Sequence, residues 1–203
     1  IGAKMIFIST DYVFDGKKEI YTEEDAPNPL SYYPKTKLEA ERLVKEAGID
    51  YVIARPSVIY GWNPSELAGL PSSSGKPVNF VVWAIDKLKK KEKINIVTDQ
   101  CNSPTLVDNL AEVLLVISKS GKQGVYHTAG KTCINRFMFA KKIAEAFKLD
   151  GGLIKPVTSD LFKQVAERPK RCCLDVTKAE RELGVRFLTV EAGLMKMKEQ
   201  MKG

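Results

Sequence analysis

Apolar residues along the chain fall into short blocks that alternate between two spacings. Met5-Ile6-Phe7-Ile8 and Tyr51-Val52-Ile53-Ala54 are continuous runs of strand length, and Ile94-Asn95-Ile96-Val97 and Val125-Tyr126-His127 are shorter runs of the same kind. Between them, apolar positions recur at helical spacing. Leu38, Leu43, Val44 and Ala47 predict a helix over 33–47, which Gly48 stops. Phe80, Val81, Ala84, Ile85 and Leu88 predict a second helix. Thr105 and Asp108 have capping-box spacing ahead of Leu110, Val113, Leu114 and Ile117. Phe137, Ala140, Ile143, Ala144 and Phe147 mark a fourth helix, and Val190, Leu194, Met197 and Met201 a last one. The strand over residues 4–9 reads as buried. Residues 10–30 and 61–77 read as loops, and the second is long enough to act as a lid. Strands that alternate with helices predict an α/β fold around a parallel sheet.

Composition narrows this pattern. The 203 residues are 44% hydrophobic, which suits a packed domain and excludes broad disorder. No apolar run approaches the roughly 20 residues of a membrane span. No basic-then-apolar leader is visible, and no membrane partner is expected. The four cysteines (Cys101, Cys133, Cys172, Cys173) include no CxxC pair, so neither a zinc site nor a disulfide framework is expected. A reduced, cytoplasmic setting is the corresponding expectation. Thirty-two Lys and Arg against 25 Asp and Glu give a net charge of +7. Lys87, Lys89, Lys90, Lys91 and Lys93 read as a solvated helix end, where cations suit the dipole. Lys163, Arg168, Lys170 and Arg171 lie in a stretch of weak periodicity and suit an anionic ligand. No basic-aromatic interleaving points to nucleic acid.

Candidate chemistry lies in two segments. Ser9-Thr10-Asp11-Tyr12-Val13-Phe14-Asp15-Gly16 follows a strand directly, and Tyr33-Pro34-Lys35-Thr36-Lys37 opens a helix. Tyr33 and Lys37 are four apart and share one helical face. An ammonium one turn from a phenol favours the phenolate, which makes the pair a workable proton donor. A strand-end hydroxyl such as that of Thr10 can hydrogen-bond the same substrate oxygen, because open parallel sheets bind ligands at that end. Other candidates have plainer readings. His127 is expected to be a satisfied core histidine, and Cys172-Cys173 two positions of a strand. Glu23, Glu24 and Asp25 are read as solvated loop charge, Trp83 as core, and Met195, Met197 and Met201 as interior packing.

The motifs STDYVFDG (Ser9–Gly16), YPKTKLEAE (Tyr33–Glu41), ARPSVIYG (Ala54–Gly61), SPT (Ser103–Thr105), GVYHTAG (Gly124–Gly130) and ERPKRCCLDVTKAERELG (Glu167–Gly184) occur in this order. Taken together they resemble the extended short-chain dehydrogenase/reductases, in the dTDP-4-dehydrorhamnose reductase branch. The resemblance implies a partial Rossmann-like, doubly wound parallel sheet with a smaller C-terminal α/β substrate-binding region. Residues 1–60 and 105–130 would form what remains of the NAD(P)-binding domain, and 61–104 and 131–203 the substrate region. It implies NADPH as cofactor, with NADH as the alternative, a nucleotide-linked 4-keto sugar as substrate, and a homodimer as a further expectation. Tyr33 would protonate the alkoxide, Lys37 would bind the cofactor's ribose and support the phenolate, and Thr10 would polarise the carbonyl. Arg55, Pro56 and Ser57 would border the nicotinamide through the strand-end backbone, with Asp11, Asn102, Ser103 and Arg168 on the substrate side.

Three positions depart from the family pattern. Pro34 stands where the family has Gly after the Tyr, which predicts Tyr33 at the helix N-cap or just before it. Val58 stands where bacterial reductases of this kind tend to have Trp. The glycine-rich dinucleotide fingerprint is absent from the sequence. The chain is therefore expected to lack an N-terminal part and to bind NADPH weakly by itself. A non-catalytic, NADP-binding branch of the family, the regulatory subunit of methionine adenosyltransferase, is the alternative reading.

Overall fold

The computed structural model describes residues 2–62, 79–162 and 165–202. Most of the predicted lid loop, and Lys163, lie outside them. The order of elements is α/β. Strand β1 (Met5–Ile8) leads through β2 (Ile20–Tyr21) to helix α1 (Tyr32–Glu46), then β3 (Tyr51–Arg55) and β4 (Ile59–Tyr60). Helix α2 (Phe80–Lys89) precedes β5 (Ile94–Val97), β6 (Cys101–Asn102) and β7 (Thr105–Leu106). Helix α3 (Val107–Lys119), β8 (Gly124–His127), β9 (Ile134–Asn135) and α4 (Arg136–Phe147) follow. The chain closes with β10 (Ile154–Val157), β11 (Arg171–Leu174), α5 (Thr177–Leu183) and α6 (Val190–Gln200).

Strands β1, β3 and β8 form a parallel sheet in that order, with Met5 opposite Tyr51 and Arg55 opposite His127. Strands β2, β11, β6 and β9 form a second sheet, parallel except for the antiparallel β6–β9 pair. The pairs β10–β5 and β4–β7 are both parallel. One apolar cluster gathers α2, α4 and α6 around Tyr60, Ile85, Phe139, Ile143, Leu194 and Met197. The other packs Phe14, Val52, Val113, Ile117, Tyr126 and Phe187.

Local chemistry explains the helix starts. Asn79 caps α2 by accepting from the amides of Val81 and Val82, and Asn135 caps α4 by accepting from Met138. Gly48, just past α1, has φ +65°, the left-handed conformation of a helix-terminating glycine. Gly16 has φ +75°, and a side chain there would press on the Lys170 amide at 2.7 Å, so its loop packs tightly on the segment before β11.

Several expectations need correction. Strand β1 is not fully buried: Met5 and Ile8 are exposed, because no described strand pairs with its outer edge. Tyr33 is not at the N-cap, since Ser31 holds that place and Tyr33 is the second helical residue. Pro34 is tolerated there because amides of the first turn have no helical acceptor to lose. Thr105 does not cap α3. Its hydroxyl donates to the Ser57 carbonyl at 2.6 Å, and Leu106 occupies the cap without a side-chain bond. Met195 is exposed, while Met197 is buried. Cys172 and Cys173 do lie in a strand, but Cys173 is joined to Cys133 by a disulfide, so the fully reduced cysteine set does not hold.

Candidate active site

The site forms where β1 and β3 end. Beyond Ile8 the chain keeps following β3: the Ser9 amide donates to Ala54 and the Asp11 amide to Pro56, at 2.7 and 3.0 Å. This carries Thr10 and Asp11 past the end of the sheet, where side chains can converge. Thr10 caps a 3-10 turn over Asp11–Val13, its Oγ1 accepting from the Tyr12 amide and donating to Asp11 Oδ1 at 3.2 Å. Asp11 Oδ2 accepts from Ser57 Oγ at 2.6 Å and from Asn102 Nδ2 at 3.0 Å. Ser57 Oγ accepts from the Ser103 amide, and Ser103 Oγ accepts from the Leu174 amide. Thr10, Asp11, Ser57, Asn102 and Ser103, all predicted from sequence, thus form one buried network drawn from three chain segments. Burial outweighs the hydrogen bonds Asp11 receives and pushes its carboxyl up to about 6.

Tyr33 and Lys37 project from the first turns of α1. Tyr33 is 54% exposed, so its hydroxyl is open to a ligand. Lys37 Nζ donates to the Ile8 carbonyl at 2.9 Å and lies 5.0 Å from the centre of the Phe7 ring. One of its three N–H donors is thereby fixed at the end of β1, and two remain for a ligand. These groups fit the nicotinamide–ribose end of a dinucleotide. No glycine-rich strand–turn–helix for its pyrophosphate occurs among the described residues.

Arg55 ends β3, so its backbone stands at the strand end, and its side chain is buried in an ion pair with Glu41. Pro56 is buried beside it, its carbonyl engaged by Asp11.

Arg168 lies outside the network. With Phe80, Trp83, Gln100, Arg136 and Phe162 it lines a cavity of about 250 Å³. A second cavity, of about 460 Å³, shares Gln100, Phe162 and Arg168 and adds Lys17 and Lys170. Two residues here escaped the sequence reading. The Arg136 guanidinium lies 5.2 Å from the Phe80 ring centre, and its buried Nε has no hydrogen-bond partner. Tyr12 feels charges from both network and cavity: burial, then the Asp11 charge, raise its phenol, and Arg136 and Arg168 draw it back. Its place inside STDYVFDG was the available signal. Trp83 serves both uses, packing on the core and lining the cavity.

Three other candidates resolve as structure. His127 is a core residue whose Nδ1 bonds to the Asp175 carbonyl, so Nδ1 carries the proton. Burial, aided by the Arg55 charge, lowers its imidazole to about 3. Its Nε2 has no partner, so it is only half satisfied. Glu23 is not plain solvated charge: it accepts from the His127 amide at 2.8 Å, and burial raises its carboxyl. The lysines closing α2 are solvated, with exposed pairs to Asp86 and Glu92.

Comparison with known proteins places this geometry. A family model described as the RmlD substrate binding domain matches residues 1–202. The chain is 35% identical over 193 residues to the "Probable low-salt glycan biosynthesis reductase Agl14" of Haloferax volcanii, covering 93% of this chain and 61% of that one. It is 36% identical to methionine adenosyltransferase 2 subunit beta of Rattus norvegicus, over 89% of this chain and 52% of that one. Among solved structures, dTDP-4-dehydrorhamnose reductase from Bacillus anthracis in complex with NADP superposes with a TM-score of 0.85, at 32% identity, over 98% of this chain and 66% of that one. The chain therefore spans about half to two thirds of these relatives' lengths. The shared architecture is Rossmann-like, with parallel sheets and, among the described residues, no closed barrel. By a match that runs nearly its whole length, the chain belongs to the RmlD substrate-binding domain family and is related to the dTDP-4-dehydrorhamnose reductases.

Proposed function

We propose that the whole protein is an NADPH-dependent reductase of a nucleotide-linked 4-keto sugar, converting dTDP-4-dehydrorhamnose to dTDP-rhamnose. The anchoring of Lys37 on the Ile8 carbonyl, two residues before Thr10, brings the Tyr33–Lys37 face of α1 to the end of β1 and carries this reading. A bound nicotinamide supplies the reducing equivalent at the keto carbon. Tyr33 donates a proton to the oxygen, and the Lys37 ammonium, anchored on Ile8, supports the phenolate that remains. Thr10 polarises the same oxygen by swinging its hydroxyl proton off Asp11. Asp11 keeps the Ser57 and Asn102 bonds to its other carboxylate oxygen when it does. Arg168 and Arg136 suit the diphosphate as cationic forks, and Phe80 and Trp83 offer flat faces for the base.

The test is NADPH oxidation by the whole protein with the keto sugar. Turnover is expected, and Tyr33→Phe should abolish it with the fold intact. NADPH binding without turnover would overturn the proposal. The 36% identity to the adenosyltransferase subunit favours a second reading, a non-catalytic NADP-binding partner of a synthetase. Co-purification with that synthetase and inactivity on keto sugars would select it.

A further inference from the structure

Tyr33, Lys37 and Glu41 are spaced i, i+4, i+8 and form one stripe along α1. Exposure falls along the stripe: Tyr33 is 54% exposed, Lys37 is half-buried and Glu41 is 0% exposed. Both Glu41 oxygens are engaged. Oε1 accepts from Ser9 Oγ at 2.5 Å and Arg55 Nε at 2.9 Å, and Oε2 accepts from Arg55 Nη2 at 2.6 Å. Ser9 immediately follows β1, and Arg55 is the last residue of β3. A single carboxylate therefore ties α1 to the ends of the two strands that present Thr10 and Ser57. The Arg55 side is also fixed. Its guanidinium lies 5.2 Å from the Phe14 ring centre, and its carbonyl accepts from the Thr128 amide at 2.9 Å.

A helix packed only through apolar side chains can rotate or slide slightly at low cost, because dispersion and burial are not directional. A two-bond fork between planar groups does not permit this, since it fixes distance and orientation together. From this geometry we infer that Glu41 and Arg55 are positioning residues. Their buried fork sets the rotation and height of α1, and so the placement of Tyr33 and Lys37 against Thr10. The inference rests on the reductase reading for its catalytic consequence, but its structural half stands on α1 alone. It also gives Arg55 a role distinct from cofactor contact: the residue acts through Glu41 and the helix.

The test compares Arg55→Lys, Glu41→Gln and the apolar double variant Glu41→Leu/Arg55→Leu in the whole protein. Arg55→Lys keeps the charge and loses the fork. The double variant removes both charges, and buried pairs replaced together by apolar residues often leave stability intact. It therefore keeps the test informative where a single variant fails to fold. Folded variants should lose about ten- to a hundredfold in kcat, the scale of an ångström misplacement, with KM changed little. Amide hydrogen exchange supplies a readout that needs no turnover. Exchange across the Tyr33–Glu41 turns should quicken, while β3 and β8 stay protected. Folded Arg55→Lys and double variants that keep wild-type kcat and wild-type exchange in α1 would overturn the inference. Should the wild-type protein not reduce the sugar, the reductase reading falls, and exchange alone decides the fate of the fork.

Discussion

Asp11 and His127 are both buried, and their titrations oppose each other. Asp11 is held up at about 6 against its ordinary 3.8, so the folded protein keeps this proton where the unfolded chain has lost it. Its contribution to stability is therefore most favourable below pH 4 and is lost as pH rises through 6, by about 3 kcal/mol in all. His127 is lowered to about 3 from 6.5, so it is neutral in both states above pH 6.5 and costs stability as pH falls below that value. Between pH 6.5 and 4 that cost is also about 3 kcal/mol, so the two effects nearly cancel there. Asp11→Asn removes one side of the balance. The variant's stability relative to wild type should rise as pH climbs from 4 to 7, read from urea unfolding at each pH, and a difference independent of pH would refute the placement. Thr10, Asp11, Tyr33 and Lys37 were legible because each lies in a short local motif. Glu41 was not singled out, because its partners lie 14 and 32 residues away. The sequence did hold a trace of it, a carboxylate on the same helical face as Tyr33 and Lys37.

At the scale of elements, α1 shows how a residue unfavourable within a helix can serve its first turn. Pro34 is the third helical residue, so no amide hydrogen bond is lost, and the carbonyl its ring would clash with belongs to Leu30, outside the helix. The ring is buried and stiffens the unfolded chain. Pro34→Gly should therefore lower stability by about 1 kcal/mol, seen as a reduced denaturation midpoint with an unchanged m-value. A midpoint that holds or rises would show that the ring is strained in place. The long helices and β1, β3, β5 and β8 were readable because each repeats its apolar spacing often enough to register. Strands β2, β4, β6, β7 and β9 have two residues each and no period to read, and they exist only because partner strands present free backbone groups. Thr105 shows the same limit. Its capping-box spacing is real, but Val58 takes φ +36° and helps bring the Ser57 and Val58 carbonyls to Thr105, which engages both.

Over the whole molecule, the Cys133–Cys173 disulfide ties the segment leading into β9 to β11, with β6 and its Asn102 between those two strands. The 40-residue span it closes contains α4, with Arg136, and the segment bearing Arg168. Four scattered cysteines gave no sign of the pairing, because these two meet only when β9 and β11 flank β6. Closing a loop of that length removes enough freedom from the unfolded chain to stabilise the fold by about 4 kcal/mol in the chain-entropy account. Reduction, or Cys133→Ser, should lower the unfolding free energy by an amount of that order, read as a lower urea midpoint. Cys133→Ser should also make the midpoint insensitive to reductant, whereas Cys101→Ser should leave the sensitivity in place, since Cys101 is free. Titrating thiols in the denatured, unreduced protein gives an independent check. Two reactive thiols follow from the pairing, and four would mean that Cys133 and Cys173 are not joined. Since Arg136 lies three residues past Cys133, reduction should also weaken binding of a nucleoside diphosphate at the Arg136–Arg168 cavity. If stability fell and that affinity did not, the disulfide would be a clamp on the unfolded chain alone, with the cavity held in shape by α2 and α4.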